Sequence, residues 1–168
     1  MGHSETKYLV IDDRERGIFR VNRRSFTDPA IFESERREIF DRSWLYACHE
    51  SEIAKPGSFI TRKVGGRALL IVRDADGVAR AFFNACTHRG NVVCREKSGS
   101  ARAFMCFYHA WTFNQKGELI GVPGEDGYAA GFDRKELGLK EVPRFASYRG
   151  LMFVSFDAGV VALDDYLG

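Results

Sequence analysis

The chain has 168 residues, 45% of them hydrophobic and 14 of them phenylalanine, which is enough apolar material for one packed domain and argues against disorder. Its 25 basic and 23 acidic residues leave a formal charge of +2, too balanced for charge alone to indicate a nucleic-acid or anionic-membrane partner. The longest aliphatic run, Ala68 to Val72, is far too short to span a bilayer, and the opening MGHSETKYLVIDDRERG has no apolar secretory core. A soluble, cytoplasmic protein that binds neither nucleic acid nor membrane is therefore expected.

The first residues, Met1 and Gly2 with Thr6, fit the short myristoylation pattern, which is so common that an ordinary start explains it as well. SFTDPAIFESERREIFDRSW reads as one helix. Thr27 or Asp28 is its cap, Pro29 suits its first turn, and Ile31, Phe32, Ile39 and Phe40 recur at helical spacing. Glu35 and Arg36 interrupt that stripe, so the helix is amphipathic.

Beyond the helix the period shortens to that of strands. SFITRKV and RALLIVRD flank Gly65-Gly66 as a hairpin, and DADG turns the chain into VARAFFNA. AWTFNQKGELIGV forms another hairpin around Asn114 to Gly117, and YRGLMFVSF is a late strand with Leu151, Phe153 and Ser155 on one face. Short strands with regular turns predict an antiparallel β-sandwich or small barrel, entered through a helical arm.

Two segments between these strands, NACTHRGNVVC and AFMCFYHAW, hold most of the metal-binding chemistry. Cys86 and His88 form a Cys-x-His pair, Cys106 and His109 a Cys-x-x-His pair, and seventeen residues separate His88 from Cys106. In a reducing compartment cysteines are more often metal ligands or buried apolar residues than disulfide partners. Zinc suits two thiolates and two imidazoles, yet its ligands usually come as Cys-Cys and His-His pairs, whereas each pair here is mixed. A Rieske [2Fe-2S] centre explains the mixing: two cysteines hold one iron and two histidines the other, so each loop must supply one ligand of each kind. Cys86, His88, Cys106 and His109 are thus the expected cofactor and metal ligands.

CTHRG with CFYHAW resembles the Rieske motif. From YLVIDDRERGIFRVNRRSF through FFNACTHRG, GELIGVPGE and GLKEVPRFASYRGLMFVSF to LDDYLG, the chain also resembles the N-terminal part of the large (α) subunit of bacterial aromatic-ring-hydroxylating dioxygenases. The resemblance implies an antiparallel Rieske-type β-sandwich with cluster-binding loops, mainly β, preceded by the helical arm. It divides the chain into an arm over residues 1–43, a Rieske domain over 44–163 and the start of an absent C-terminal catalytic domain over 164–168. In that family the arm packs with the catalytic domain. The implied role is to accept electrons from a ferredoxin or reductase and pass them, through His109, to a mononuclear non-haem Fe(II) in a neighbouring α subunit's catalytic domain, where an aromatic substrate is oxygenated. A small β subunit is a further candidate partner.

The family usually has Gly after the second ligand histidine, where this chain has Ala110. If that glycine serves a positive φ, alanine strains the loop; if it serves only close packing, one methyl is tolerable. Respiratory Rieske proteins tie their two loops by a disulfide, but the corresponding positions here are Asn91 and Tyr108, so none is expected and the potential should lie low in the range of about −150 to +300 mV. Cys94 is read as a small buried residue and His49 as the end of a strand. Arg89, Arg95, Lys97 and Arg102 would steer an acidic electron donor, although an ordinary solvated loop accounts for them equally. Trp111 and Tyr108 are expected to pack over the cluster and limit its exposure.

An oxygenase iron needs two histidines and a carboxylate, and after His88 and His109 only His3 and His49 remain, so this chain alone should carry electrons only. A stand-alone Rieske-type ferredoxin is the competing reading, but such carriers are shorter and lack the helical arm. A zinc-ribbon interaction protein is a third.

Overall fold

The structure, a computed structural model, describes residues 9–168. The lipidation pattern at Met1 to Thr6 and the remaining histidine His3 lie outside the described residues. The chain separates into two compact units, the first ending at Asp41 and the second running from Arg42 to Gly168.

The first unit holds a hairpin, β1 (Val10–Asp13) with β2 (Ile18–Val21), then two helices. The expected helix starts at its cap, with Asp28 as N-cap and Pro29 in the first turn, but it is shorter than the segment read as one: α1 spans Arg24–Thr27 ahead of it, α2 spans Pro29–Glu38, and a 3-10 turn covers Phe40–Arg42. Pro29 separates α1 from α2. The residue before a proline is pushed out of the helical region, and Asp28 sits at φ −85°, ψ 117°, where its carboxylate accepts from the Ala30 N–H and caps α2. The hairpin β1–β2 has no counterpart among the sequence expectations, because its residues do not alternate apolar with polar.

The second unit is built from three antiparallel sheets. The largest has the order β6 (Ala79–Phe83), β5 (Arg67–Arg73), β4 (Ser58–Val64), β7 (Ser98–Ser100). A second orders β10 (Leu119–Gly121), β9 (Thr112–Asn114), β8 (Ala103–Met105), and a third orders β11 (Arg144–Tyr148), β12 (Leu151–Ser155), β3 (Leu45–His49). Strand β5 explains the stacking. Its run Leu69-Leu70-Ile71-Val72 is wholly buried, which a one-sided sheet would not require. Leu70 and Val72 join the apolar cluster of Phe82, Phe104, Trp111 and Phe113, whereas Leu69 and Ile71 join that of Cys48, Ile53, Met152 and Val154. The β4–β5 sheet is thus the middle layer, with a core on each face.

The predicted hairpins β4–β5 and β9–β10 are present. YRGLMFVSF is not one strand: Arg149 and Gly150 reverse the chain between β11 and β12, which pair with each other. Leu151 and Phe153 are more exposed than Met152 and Val154, as alternation requires, but Ser155 is fully buried. A short helix, α3 (Leu163–Leu167), follows, and the Trp44 indole N–H donates to the Val161 carbonyl, tying the two ends of this unit together.

Candidate metal centre

Two loops leave neighbouring sheets and meet at their tips. The first follows β6 and contains Cys86 and His88; the second joins β8 to β9 and contains Cys106 and His109. Both close by the same hydrogen-bond pattern. The Cys86 N–H donates to the Asn91 carbonyl at 2.7 Å and its carbonyl accepts from Gly90 N–H at 2.7 Å. The Cys106 N–H donates to the Trp111 carbonyl at 2.8 Å and its carbonyl accepts from Ala110 N–H at 2.8 Å. In each loop the fifth residue, counting the cysteine as first, has a positive φ: 71° at Gly90 and 55° at Ala110. Ala110 therefore stands where the loop geometry favours glycine, and the strained branch of the sequence expectation is the one realised.

This fold-back aims backbone N–H groups at the sulfurs. Those of His88 and Arg89 point to Cys86, and those of Tyr108 and His109 to Cys106. The two thiols are buried, and each influences the ionisation of the other. Burial pushes the Cys86 thiol above its ordinary value, helped by the neighbouring Cys106 thiol. Burial also opposes ionisation of Cys106, but the Tyr108 N–H and the Asn91 amide, whose nitrogen lies 3.7 Å from the sulfur, outweigh it and hold this thiol lower.

The imidazoles of His88 and His109 form their own pair, with ring centroids 4.7 Å apart and planes at 65°. His88 Nδ1 is buried and has no hydrogen-bond partner, an orphaned nitrogen aimed into the protein. Burial lowers the pKa of His88, with the neighbouring His109 imidazole and Arg89 guanidinium adding to the effect, so the ring is kept neutral and able to ligate. Among the described residues no three His, Cys, Asp or Glu side chains gather on the spacing of a single ion. Thiols pair with thiols and imidazoles with imidazoles across the loops, which suits a two-iron group that takes sulfur at one end and nitrogen at the other.

The loops are braced by further contacts, those of Asn84 and Thr87 coming from residues that sequence reasoning passed over. Asn84 is buried and accepts from Val93 and Cys94 N–H while donating to the Cys94 carbonyl at 2.7 Å, which pins the return of the first loop. Thr87 Oγ donates to the Leu137 carbonyl at 2.6 Å. The Arg95 guanidinium lies 3.2 Å from the centre of the Phe107 ring, linking one loop to the other. All four cysteines are free thiols. Cys94 is buried as expected, and His49 does end β3, where its Nδ1 accepts from the Ser51 N–H. Trp111 is 3% exposed and stacks on His88, but Tyr108 is 56% exposed; it lies beside His109 without sealing the site.

The Rieske [2Fe-2S] domain model matches residues 43–145. The chain belongs to the Rieske [2Fe-2S] domain family. A [2Fe-2S] cluster is the group such domains bind, and both the antiparallel β architecture and the mixed Cys/His loops described above fit it. The chain is 42% identical over 163 residues to the toluate 1,2-dioxygenase subunit alpha of Pseudomonas putida, matching 95% of its own length and 36% of that protein's. It is 40% identical to the biphenyl 2,3-dioxygenase subunit alpha of Rhodococcus jostii over 95% of this chain and 34% of the relative. Among solved structures, naphthalene 1,2-dioxygenase from Rhodococcus sp. bound to indole superposes with a TM-score of 0.84 at 39% identity, covering 88% of this chain and 34% of that one. The quaternary ammonium Rieske monooxygenase CntA superposes with a TM-score of 0.79 at 36% identity over 86% of this chain. The chain thus spans about a third of the length of the curated relatives it matches. No helix among the described residues is long and apolar enough to cross a membrane.

Proposed function

We propose that Cys86 and Cys106 hold one iron, and His88 and His109 the other, of a [2Fe-2S] cluster, and that this chain is the electron-carrying part of the large subunit of an aromatic-ring-hydroxylating dioxygenase. The observation that carries the ligand assignment is the matched pair of loops, which sets thiol beside thiol and imidazole beside imidazole with His88 Nδ1 buried and unpartnered. The dioxygenase assignment rests on the α-subunit relatives at about 40% identity.

When bound, the cluster supplies a one-electron store at a potential raised by its two imidazole ligands. The chain's own groups do the rest. Four backbone N–H groups and the Asn91 amide stabilise negative charge on the two sulfurs, and binding requires both thiols to lose their protons. Trp111 keeps water from one face of His88. The electron would enter from a cytoplasmic ferredoxin or reductase and leave through His109, the imidazole beside the exposed Tyr108, toward a mononuclear iron in a neighbouring α subunit. Exposed Arg89, Arg95 and Lys97 on the first loop suit an acidic donor. Residues 1–43 form the arm, 44–163 the Rieske domain and 164–168 the start of the catalytic domain; the boundary between compact units after Asp41 supports the first division.

The test is analytical. Anaerobically purified protein should be red-brown, with about two irons and two sulfides per chain. One tightly held zinc and no inorganic sulfide would overturn the cluster reading. Labelled-oxygen incorporation into an aromatic substrate should occur with the full-length α subunit and not with this chain, even with ferrous iron and a reductase. A stand-alone carrier, the second reading, would instead pass electrons to a separate oxygenase in solution.

A further inference from the structure

We propose that Trp111 is a positioning residue for electron transfer: its buried indole, stacked flat on His88 and packed against an aromatic strap, fixes the plane of that one imidazole. This rests on the cluster reading above and deepens it. The indole and imidazole planes differ by only 10°, with centroids 4.7 Å apart. Turning the His88 ring about its Cβ–Cγ bond would drive its edge into the indole, so the contact resists rotation and not merely solvent. The brace crosses the site, because Trp111 belongs to the second loop and His88 to the first. Trp111 cannot follow the ring, since its carbonyl is held by the Cys106 N–H and its side chain is buried in the core.

The indole has further aromatic neighbours outside the two loops. Between β10 and Leu139 the chain forms a strap whose Tyr128 and Phe132 rings lie 4.4 Å apart, with centroids 6.4 and 6.1 Å from that of Trp111. Arg134 clasps the strap: its Nε meets Glu125 Oε1 at 2.5 Å, its terminal nitrogen meets the other oxygen, and Nη1 donates to the Ile120 carbonyl at 3.2 Å. Thr87, next to His88, holds the strap's end at the Leu137 carbonyl. Among the described residues no buried tryptophan stacks on His109. Its ring neighbours are His88, edge-on at 4.7 Å, and the exposed Tyr108, centroid 3.9 Å away and adjacent in the chain. The two histidines are therefore constrained unequally, and groups around a ligand that limit its reorientation tune the metal it holds.

The experiment uses the cluster-loaded chain, reduced, with electron paramagnetic resonance, nitrogen hyperfine couplings of the two histidines, and the midpoint potential as readouts. Trp111→Leu keeps apolar bulk but removes the flat face. It should broaden the g-values, alter the coupling of one histidine and shift the potential, and Trp111→Phe should restore all three toward wild type. Arg134→Gln, remote from the ligands, should give the same changes in weaker form. Tyr108→Leu should leave the coupling that Trp111→Leu alters unchanged. Loaded Trp111→Leu with wild-type couplings, line widths and potential would overturn the proposal. If that variant does not load, unchanged couplings in Arg134→Gln would do so. Absence of any iron–sulfur signal in the wild type would overturn the cluster reading itself, a different result from a well-loaded Trp111→Leu that behaves as wild type.

Discussion

Replacing Ala110 by glycine is expected to stabilise the protein, against the usual trend for a change to glycine. Ala110 sits at φ 55°, in the left-handed region, while the equivalent position of the other loop is Gly90 at φ 71°. A side chain there costs about 1–2 kcal/mol through the clash of Cβ with the carbonyl oxygen. Glycine returns about 0.4–1 kcal/mol of that through the greater freedom of the unfolded chain. The difference is about 0–1.6 kcal/mol, and its middle value of about 0.8 kcal/mol raises the melting temperature at this chain length by roughly 1–4 °C. Gly90→Ala makes the reverse experiment. A Cβ built at Gly90 meets no heavy atom within 4 Å, so its effect is conformational and should lower the melting temperature by a similar roughly 1–4 °C. The double variant, which exchanges the two residues, should melt close to wild type because the two changes act on separate loops of like conformation. Calorimetry of the loaded protein reads all three. A lowered melting temperature in Ala110→Gly, together with an unchanged one in Gly90→Ala, would refute the strain argument.

Three more outcomes follow from the geometry. Cys86→Ser or Cys106→Ser should abolish or badly disturb the cluster absorbance, whereas Cys94→Ser and Cys48→Ser should keep it; loss of the spectrum in Cys94→Ser with retention in Cys86→Ser would mean a different ligand set. Asp74 is fully buried, and although burial alone would raise its pKa, the Arg80 guanidinium at 2.8 Å and the Val78 and Asp76 N–H groups hold it below its ordinary 3.8. A folded value below the unfolded one gives stability that is complete above about pH 4 and lost as pH falls through the folded value. Asp74→Asn should therefore flatten the acid limb of a melting series, and an unchanged limb would contradict the assignment. Gly117→Ala places a methyl 2.5 Å from Cε1 of the buried Phe82 at φ 79°, so it should cost about 2–4 kcal/mol by thermal melting, and a wild-type melting temperature would show that Phe82 can yield.

What the sequence by itself determined was whatever local spacing encodes. The mixed Cys-x-His and Cys-x-x-His pairs argued for a two-iron group, Gly65-Gly66 and Asn114 to Gly117 placed hairpins, and Asp28-Pro29 marked a helix start. The same dipeptide should also have ended the preceding helix, since a residue before proline leaves the helical region. Strand β11 and the hairpin β1–β2 escaped because their residues do not alternate cleanly, and strand pairing, not composition, makes them strands. Tertiary structure alone decided the rest. That Trp111 of one loop covers His88 of the other, that Tyr108 stays exposed, and that Asn84 pins the first loop all depend on how two sheets with no sequence periodicity in common bring their tips together. The backbone angle at Ala110 belongs to the same class. A single residue letter does not carry φ, and only the fold-back that aims N–H groups at Cys106 imposes a left-handed turn on an alanine.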